Sequence, residues 1–359
     1  MKKNYFLKNA TKTSTPLVLN CEKKSWKNIF TSLFLLLFTL LGFSDAFGQI
    51  NQDFTTPGTT TWTVPAGVNS VTIQCVGGGG AGGSGRGNSD QGAGGGAGGQ
   101  YASSTIAVTP GQVFDIRVAG VTNGPSGNYL NGAQGDFSSF SLGATIHARA
   151  MGGNGGTAAD IAGRAGGIGN TTNGIGNIIV RAGGNGGDGT ATNSGGGGGG
   201  AGSTGNGGNA TGTTAGTGTA NFGGNGGAGR TTSGVGNNGL IYGGGGSGAR
   251  RSDTGGNGAQ GFVRITYTCP ANIPSAGSNQ TLSACTTTTT LSGSAVPSGM
   301  TGLWTLISGT ATITTPNPPT STVTGLALGA TATLRWTVSN GTCGNASSDV
   351  TITTSFGPG

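Results

Sequence analysis

SVTIQCVGGGGAGGSG, residues 70–85, runs from an alternating stretch straight into glycine. Val71, Ile73 and Cys75 alternate with Thr72 and Gln74, the period of two that places apolar side chains on one face of a strand. The glycine half matches GxGxxG, and a dinucleotide turn of that form must open a helix whose N-terminal amides hold the pyrophosphate, with an acidic residue about 20 positions on. The next stretch, GRGNSDQGAGGGAGGQ (85–100), contains no helix-forming run. Glycine costs about 1 kcal/mol per helical position relative to alanine. Asp90 falls too early to hold a ribose, and among 81 glycines in 359 residues the pattern recurs by chance. A nucleotide site is therefore excluded, and the glycines need a structural account.

The formal charge of +7 also misleads, because all seven lysines lie within the first 27 residues. Beyond residue 48 the bases are ten arginines and the acids eight aspartates, so no strong nucleic-acid footprint remains. The lysine-rich start precedes IFTSLFLLLFTLLGF (29–43), and AFG (46–48) places small residues where signal peptidase requires them. Residues 1–48 thus read as an export signal, with mature protein from about Gln49; the rival reading is an uncleaved anchor. The apolar run is short for a membrane span, which needs about 20 residues, and the mature chain has no span. Four cysteines lie beyond it, Cys75, Cys269, Cys285 and Cys343. An even number in an exported chain reads as two disulfides with three connectivities open. With no CxxC pair and His147 as the single histidine, no metal site is expected.

Composition shifts near residues 49, 152 and 269. Residues 52–151 alternate strand patterns with turns at Pro65–Gly67 and Pro110–Gly111, 152–259 are glycine-rich, and GFVRITYT (261–268) restores a strand. A flexible linker needs no strand on its far side, so 152–259 reads as an insertion into a sandwich whose first and last strands pair. Within it GGNGG recurs at 152–156, 183–187 and 223–227. A larger residue precedes each glycine run (Met151, Ala182, Phe222, Tyr242, Thr254), as if one contact to a neighbouring layer were made per pass. A GGx triplet suits a helix of the polyproline II type, with three residues per turn and a rise of about 3.1 Å. Where two of three residues are glycine, such helices can approach closely and exchange N–H···O=C bonds, with the third side chain outward. Glycine plus proline, 93 of 359 residues, equally suits disordered chain. The bracketing strands and the interspersed Ile168, Ile175, Ile178, Ile179, Val180, Phe222, Leu240, Ile241 and Tyr242 favour order.

Taken in order, TWTVPAGVNSVTIQCVGGGGAGG, TPGQVFDIRVAG, SSFSLGATIHARAMGGNGG and GFVRITY resemble the glycine-rich domain of bacterial and phage tail-fibre adhesins and secreted proteins. They are more loosely similar to the glycine-rich ectodomain of some receptor tyrosine kinases. The resemblance spans roughly 52–268 and implies an all-β fold. That fold is a β-sandwich of jelly-roll or TNF-like type, carrying an inserted polyglycine II bundle whose loops can bear a receptor-binding surface. Residues 269–359, with GLWTLISGTATITTPNPPTSTVTGL and ATLRWTVSNGTCGNASSDVTITT, are similar to the PKD-like, Ig-like repeat of Bacteroidetes surface proteins, again a β-sandwich. Its Trp304 and Trp336 read as core residues. Within these domains the cysteines are expected to pair as Cys75–Cys269, on first and last strands, and Cys285–Cys343, at Ig-like strand ends. The chain is further expected to be a fragment of a longer surface protein, or else released.

Catalytic chemistry finds little material. A Ser–His–Asp set would have to use His147, the aspartates are widely spread with no glutamate after residue 48, and a Walker loop lacks its lysine. What stands out is arginine between glycine runs: Arg164, Arg230, Arg250 and Arg251, with Tyr242 nearby in sequence. Arginine and tyrosine dominate recognition surfaces. The expectation is an exported, non-enzymatic surface or matrix protein without cofactor, binding a cell-surface glycan or protein through those five residues; its oligomeric state is left open. The alternatives are a purely structural extracellular module and an ice-binding protein presenting arrays such as TGTTAGTGT.

Overall fold

A computed structural model describes residues 48–86, 90–159, 164–170, 175–176, 179–252 and 254–356. Apart from Gly48, residues 1–48, read as an export signal, lie outside them. The first sandwich is built from β1 (Gln49–Phe54), β2 (Gly58–Thr63), β3 (Ser70–Val76), β4 (Tyr101–Ala107), β5 (Val113–Val118), β6 (Ser138–Leu142), β7 (Thr145–Ala150), β8 (Ile179–Arg181) and β9 (Phe262–Thr268). One sheet runs β1-β9-β3-β4-β8 and the other β2-β5-β6-β7. The alternation at 70–76 does what its period requires: Val71, Ile73 and Cys75 are buried, opposite Phe114, Ile116 and Phe140 of the second sheet. The strand that carries Cys75 does pair with the last strand β9, and β1, which the sequence did not announce, pairs with β9 on its other side, from Gln49↔Thr268 to Phe54↔Val263. Asp53 accepts from Arg264 at 2.6 and 2.7 Å across that pair, which raises the guanidinium pKa.

The second sandwich comprises β10 (Gln280–Thr281), β11 (Thr289–Ser292), β12 (Thr301–Ser308), β13 (Thr312–Ile313), β14 (Thr320–Thr324), β15 (Thr331–Ser339) and β16 (Asn345–Thr353). Its sheets are β10-β16-β15-β12 and β11-β14-β13. Trp304 and Trp336 face each other across β12 and β15 with ring centroids 5.0 Å apart, buried in the core as their strand positions suggest.

The expected disulfides are corrected. The bond formed joins Cys269 to Cys343, tying the end of the first sandwich to the turn between β15 and β16. Cys75 and Cys285 are free, the first buried and the second exposed. Register explains the miss: β3 and β9 are indeed neighbours, but Cys75 lies opposite Val263. Six residues of extended chain, about 20 Å, separate Val263 from Cys269. Cys285 bonds through its amide to Ser355, beyond the far end of β16 from Cys343.

Between the strands of the first sandwich, glycine segments run outward and back as extended rods that bond to one another. The bundle draws on more of the chain than 152–259, because rods 77–85 and 92–100, between β3 and β4, lie inside it. Along rod 77–85 the amides of 77, 80 and 83 bond rod 92–100, those of 78, 81 and 84 bond residues 130–136, and those of 79, 82 and 85 bond residues 252–259. This threefold rotation of partners is the signature of a helix with three residues per turn. Rod 92–100 exchanges bonds with 77–83, 151–157, 167, 184–190, 195–201 and 243–249, a hexagonal surround. At its glycines no room for a side chain remains: a Cβ at Gly98 would lie 1.9 Å from the Gly199 carbonyl oxygen, and one at Gly95 2.0 Å from that of Gly196.

Rods on the rim obey a different rule, visible as GGN. Asn185 is exposed, its amide donates to Asn209 Oδ1 at 2.8 Å, and its own Oδ1 accepts from Gly169 at 2.8 Å. Asn225 and Asn257 accept likewise from Gly218 and Gly124, both at 2.7 Å. An outward-facing rod amide with no neighbouring rod thus finds a side-chain carbonyl instead, which satisfies a donor that would otherwise rely on water.

Candidate functional site

Each rod either leaves the sandwich or returns to it, so the bundle has a base on the sandwich and a far end made of turns. At the base Phe262 stacks on Phe222 (4.8 Å) and Tyr242 (4.7 Å), and Val76, Tyr101, Ala201 and Ile179 complete the cluster. Arg264 lies 4.9 Å over the Phe222 ring. Phe222 and Tyr242 therefore make the layer contacts expected of them. Thr254 instead bridges Ser126 near the turns.

The far end gathers arginines from turns distant in sequence. Arg250 and Arg251 both reach the Asp90 carboxylate, Arg250 at 3.8 Å and Arg251 in close contact. Arg250 is the more enclosed, with 15 % of its side chain exposed against 44 % for Arg251, and it donates to the Thr231 carbonyl. Arg230 donates through Nε to the Val235 carbonyl at 2.8 Å, while its backbone amide meets Ser194 Oγ at 2.7 Å. Arg164 accepts at its carbonyl from the Gly189 amide at 2.7 Å. With the Gln91 amide turned so that its nitrogen meets the Ala159 carbonyl, the Gln91 oxygen accepts from Arg164 at 3.2 Å.

Four of the five anticipated residues, Arg164, Arg230, Arg250 and Arg251, thus share the far end. Tyr242 does not: it is half-buried at the base against Phe262. Eight residues of a rod rising about 3.1 Å each place it some 25 Å from Arg250. Asp90, whose position in the sequence showed only that it is misplaced for a ribose, is the residue that joins two of the arginines. Nothing local in GNSDQG announces that role, because the pairing depends on how rods 77–85, 92–100 and 243–250 assemble. Among the described residues no group of His, Cys, Asp and Glu could hold a metal ion, and no helix is long and apolar enough to cross a membrane.

Fold and far end together define a sandwich-borne glycine bundle with an exposed loop surface. Residues 55–268 match the glycine-rich domain family, and the chain belongs to that family. No curated protein matches. Among solved structures, the PKD domain from the KIAA 1837 protein, determined in solution, is 24% identical. That match covers 26% of this chain and 96% of that one at a TM-score of 0.23. The Ig-like description of residues 280–353 rests on the two facing sheets.

Proposed function

We propose that this is an exported, non-enzymatic surface or matrix protein, adhesin-like in that its glycine-rich bundle holds recognition turns away from the sandwich. The observation that carries the reading is the gathering of Arg164, Arg230, Arg250 and Arg251 at one end. Rods with a hexagonal surround expose no side chains along their length, so the arginines stand in the turns. Holding those turns rigidly lowers the ordering cost that a free glycine loop meets on binding. The Cys269–Cys343 bond supports passage through an oxidising compartment. The resemblance to phage and bacterial adhesins and to Bacteroidetes surface repeats agrees with it, and the partner would be a cell-surface glycan or protein.

A purely structural module is the second reading, favoured by one observation: Asp90 already engages both Arg250 and Arg251. The double substitution Arg250→Ala/Arg251→Ala separates the two. Under the adhesin reading it weakens binding of the full chain to target cells by about tenfold or more, as loss of central arginine contacts does. Unchanged binding with an unchanged melting temperature would remove these arginines from recognition.

A further inference from the structure

On the flank of the bundle, reaching at one end the turns at Thr190 and Thr211 and adjoining Arg164, rods 164–170, 182–190 and 205–212 border a groove of about 600 Å³. That volume lies within the roughly 300–1,000 Å³ of small-ligand clefts. Its lining combines Asn185, Asp188, Thr190, Asn209 and Thr211 with the exposed Ile168. No arginine and no aromatic ring is among the lining residues. We infer that this groove is a binding site for a neutral oligosaccharide, separate from the Asp90-bound Arg250 and Arg251 and independent of their role.

The polar groups of the groove are held in place by the rods themselves. Asn209 Oδ1 accepts from the Asn185 amide, Asn185 Oδ1 from the Gly169 amide, and Asp188 Oδ1 from the Gly166 amide, each at 2.8 Å. One end of each planar side chain is thereby fixed to a rod, while the other end, an NH2 group or the second carboxylate oxygen, keeps its hydrogen-bonding capacity. Asp188 has no ion pair among the described residues. The groove thus presents amide donors, a carboxylate acceptor and the Thr211 hydroxyl beside an apolar patch, while the Thr190 hydroxyl is bonded within its own turn to Thr192 and Asn193. A ring carrying adjacent hydroxyls on one edge and C–H groups on its face satisfies all of these together. An anion would meet the Asp188 carboxylate with no arginine among the lining residues to offset it, and a purely apolar ligand would strand that carboxylate. Because the side chains are already immobilised, little rotamer entropy is lost on binding.

The test uses the full chain and neutral oligomers of glucose, mannose and N-acetylglucosamine as probes, with spermidine as a cationic probe. Binding is read by calorimetry and by amide-exchange protection of residues 182–190 and 205–212 in the unaltered protein. Two near-isosteric variants keep the rod-anchoring bonds: Asp188→Asn retains an oxygen for Gly166 but turns the second acceptor into a donor, and Asn209→Asp retains the oxygen for Asn185 but removes the donor. The expected result is saturable binding of at least one neutral oligomer, with protection confined to those rods. Each variant should weaken it about tenfold, the scale of losing a hydrogen bond made by a charged or buried group. Arg250→Ala/Arg251→Ala should leave it unchanged. No binding of any neutral oligomer, binding of spermidine alone, or oligomer binding indifferent to both variants would each overturn the assignment.

Discussion

Cys75 and Cys285 are chemically opposite thiols in one chain. Burial in the sandwich core pushes the Cys75 thiol well above the ordinary range, so it stays protonated and shielded. Cys285 sits exposed in a left-handed turn (φ 60°) between β10 and β11 of the Ig-like sandwich. Iodoacetamide on the native, non-reduced protein is therefore expected to label Cys285 alone, with Cys75 labelled only after denaturation and Cys269 linked to Cys343 in peptide maps. A Cys269–Cys75 peptide would contradict the register. The residue types were legible from the sequence, and so was the oxidising context that they imply. Their pairing was not, because strand adjacency leaves open where along the strands two cysteines fall. Tyr242 failed for the converse reason: nearness in sequence to Arg250 becomes distance in space along an extended rod.

The rods show two glycine requirements that differ in energy. On an inner rod both the amide and the carbonyl of most residues bond a neighbour, a net gain of about 0.5–1.5 kcal/mol per bond. Ordering one residue's backbone costs about 1–2 kcal/mol, and glycine is at the expensive end. These terms nearly cancel, so the rods depend on close packing and on the sandwich strands that hold their ends. A Cβ that strikes a carbonyl oxygen must therefore be costly. Gly98→Ala is expected to destabilise the protein by about 3 kcal/mol, the upper part of the overpacking range. Asn225→Ala removes only a rim acceptor for the Gly218 amide and should cost about 1 kcal/mol. Denaturant unfolding of both variants checks the order, and equal effects would mean that inner and rim rods are not distinct. The third-position rule was visible in GGN as an outward side chain. Why that residue is so often asparagine was not, since the amide it receives belongs to a rod elsewhere in the chain.

At the scale of the molecule, a sandwich closed by β1, β9 and β3 anchors both ends of the glycine bundle, and a disulfide fastens the Ig-like sandwich beside its last strand. The bracketing strands were readable from 70–76 and 262–268 because alternation is a local signal. The extent of the bundle was less so: GGGGAGGSG and GAGGGAGGQ sit between strands and look like a long hairpin loop until the later rods enclose them. The proposed recognition by the far-end turns depends on those glycines being a scaffold and not a tether. Native-state amide hydrogen exchange on the full chain tests this most directly. The account predicts that amides of 92–100 and 194–201 exchange as slowly as those of β3, while the exposed amides of the far-end turns exchange quickly. Exchange of the inner rods at the rate of unstructured chain, with β3 still protected, would contradict it.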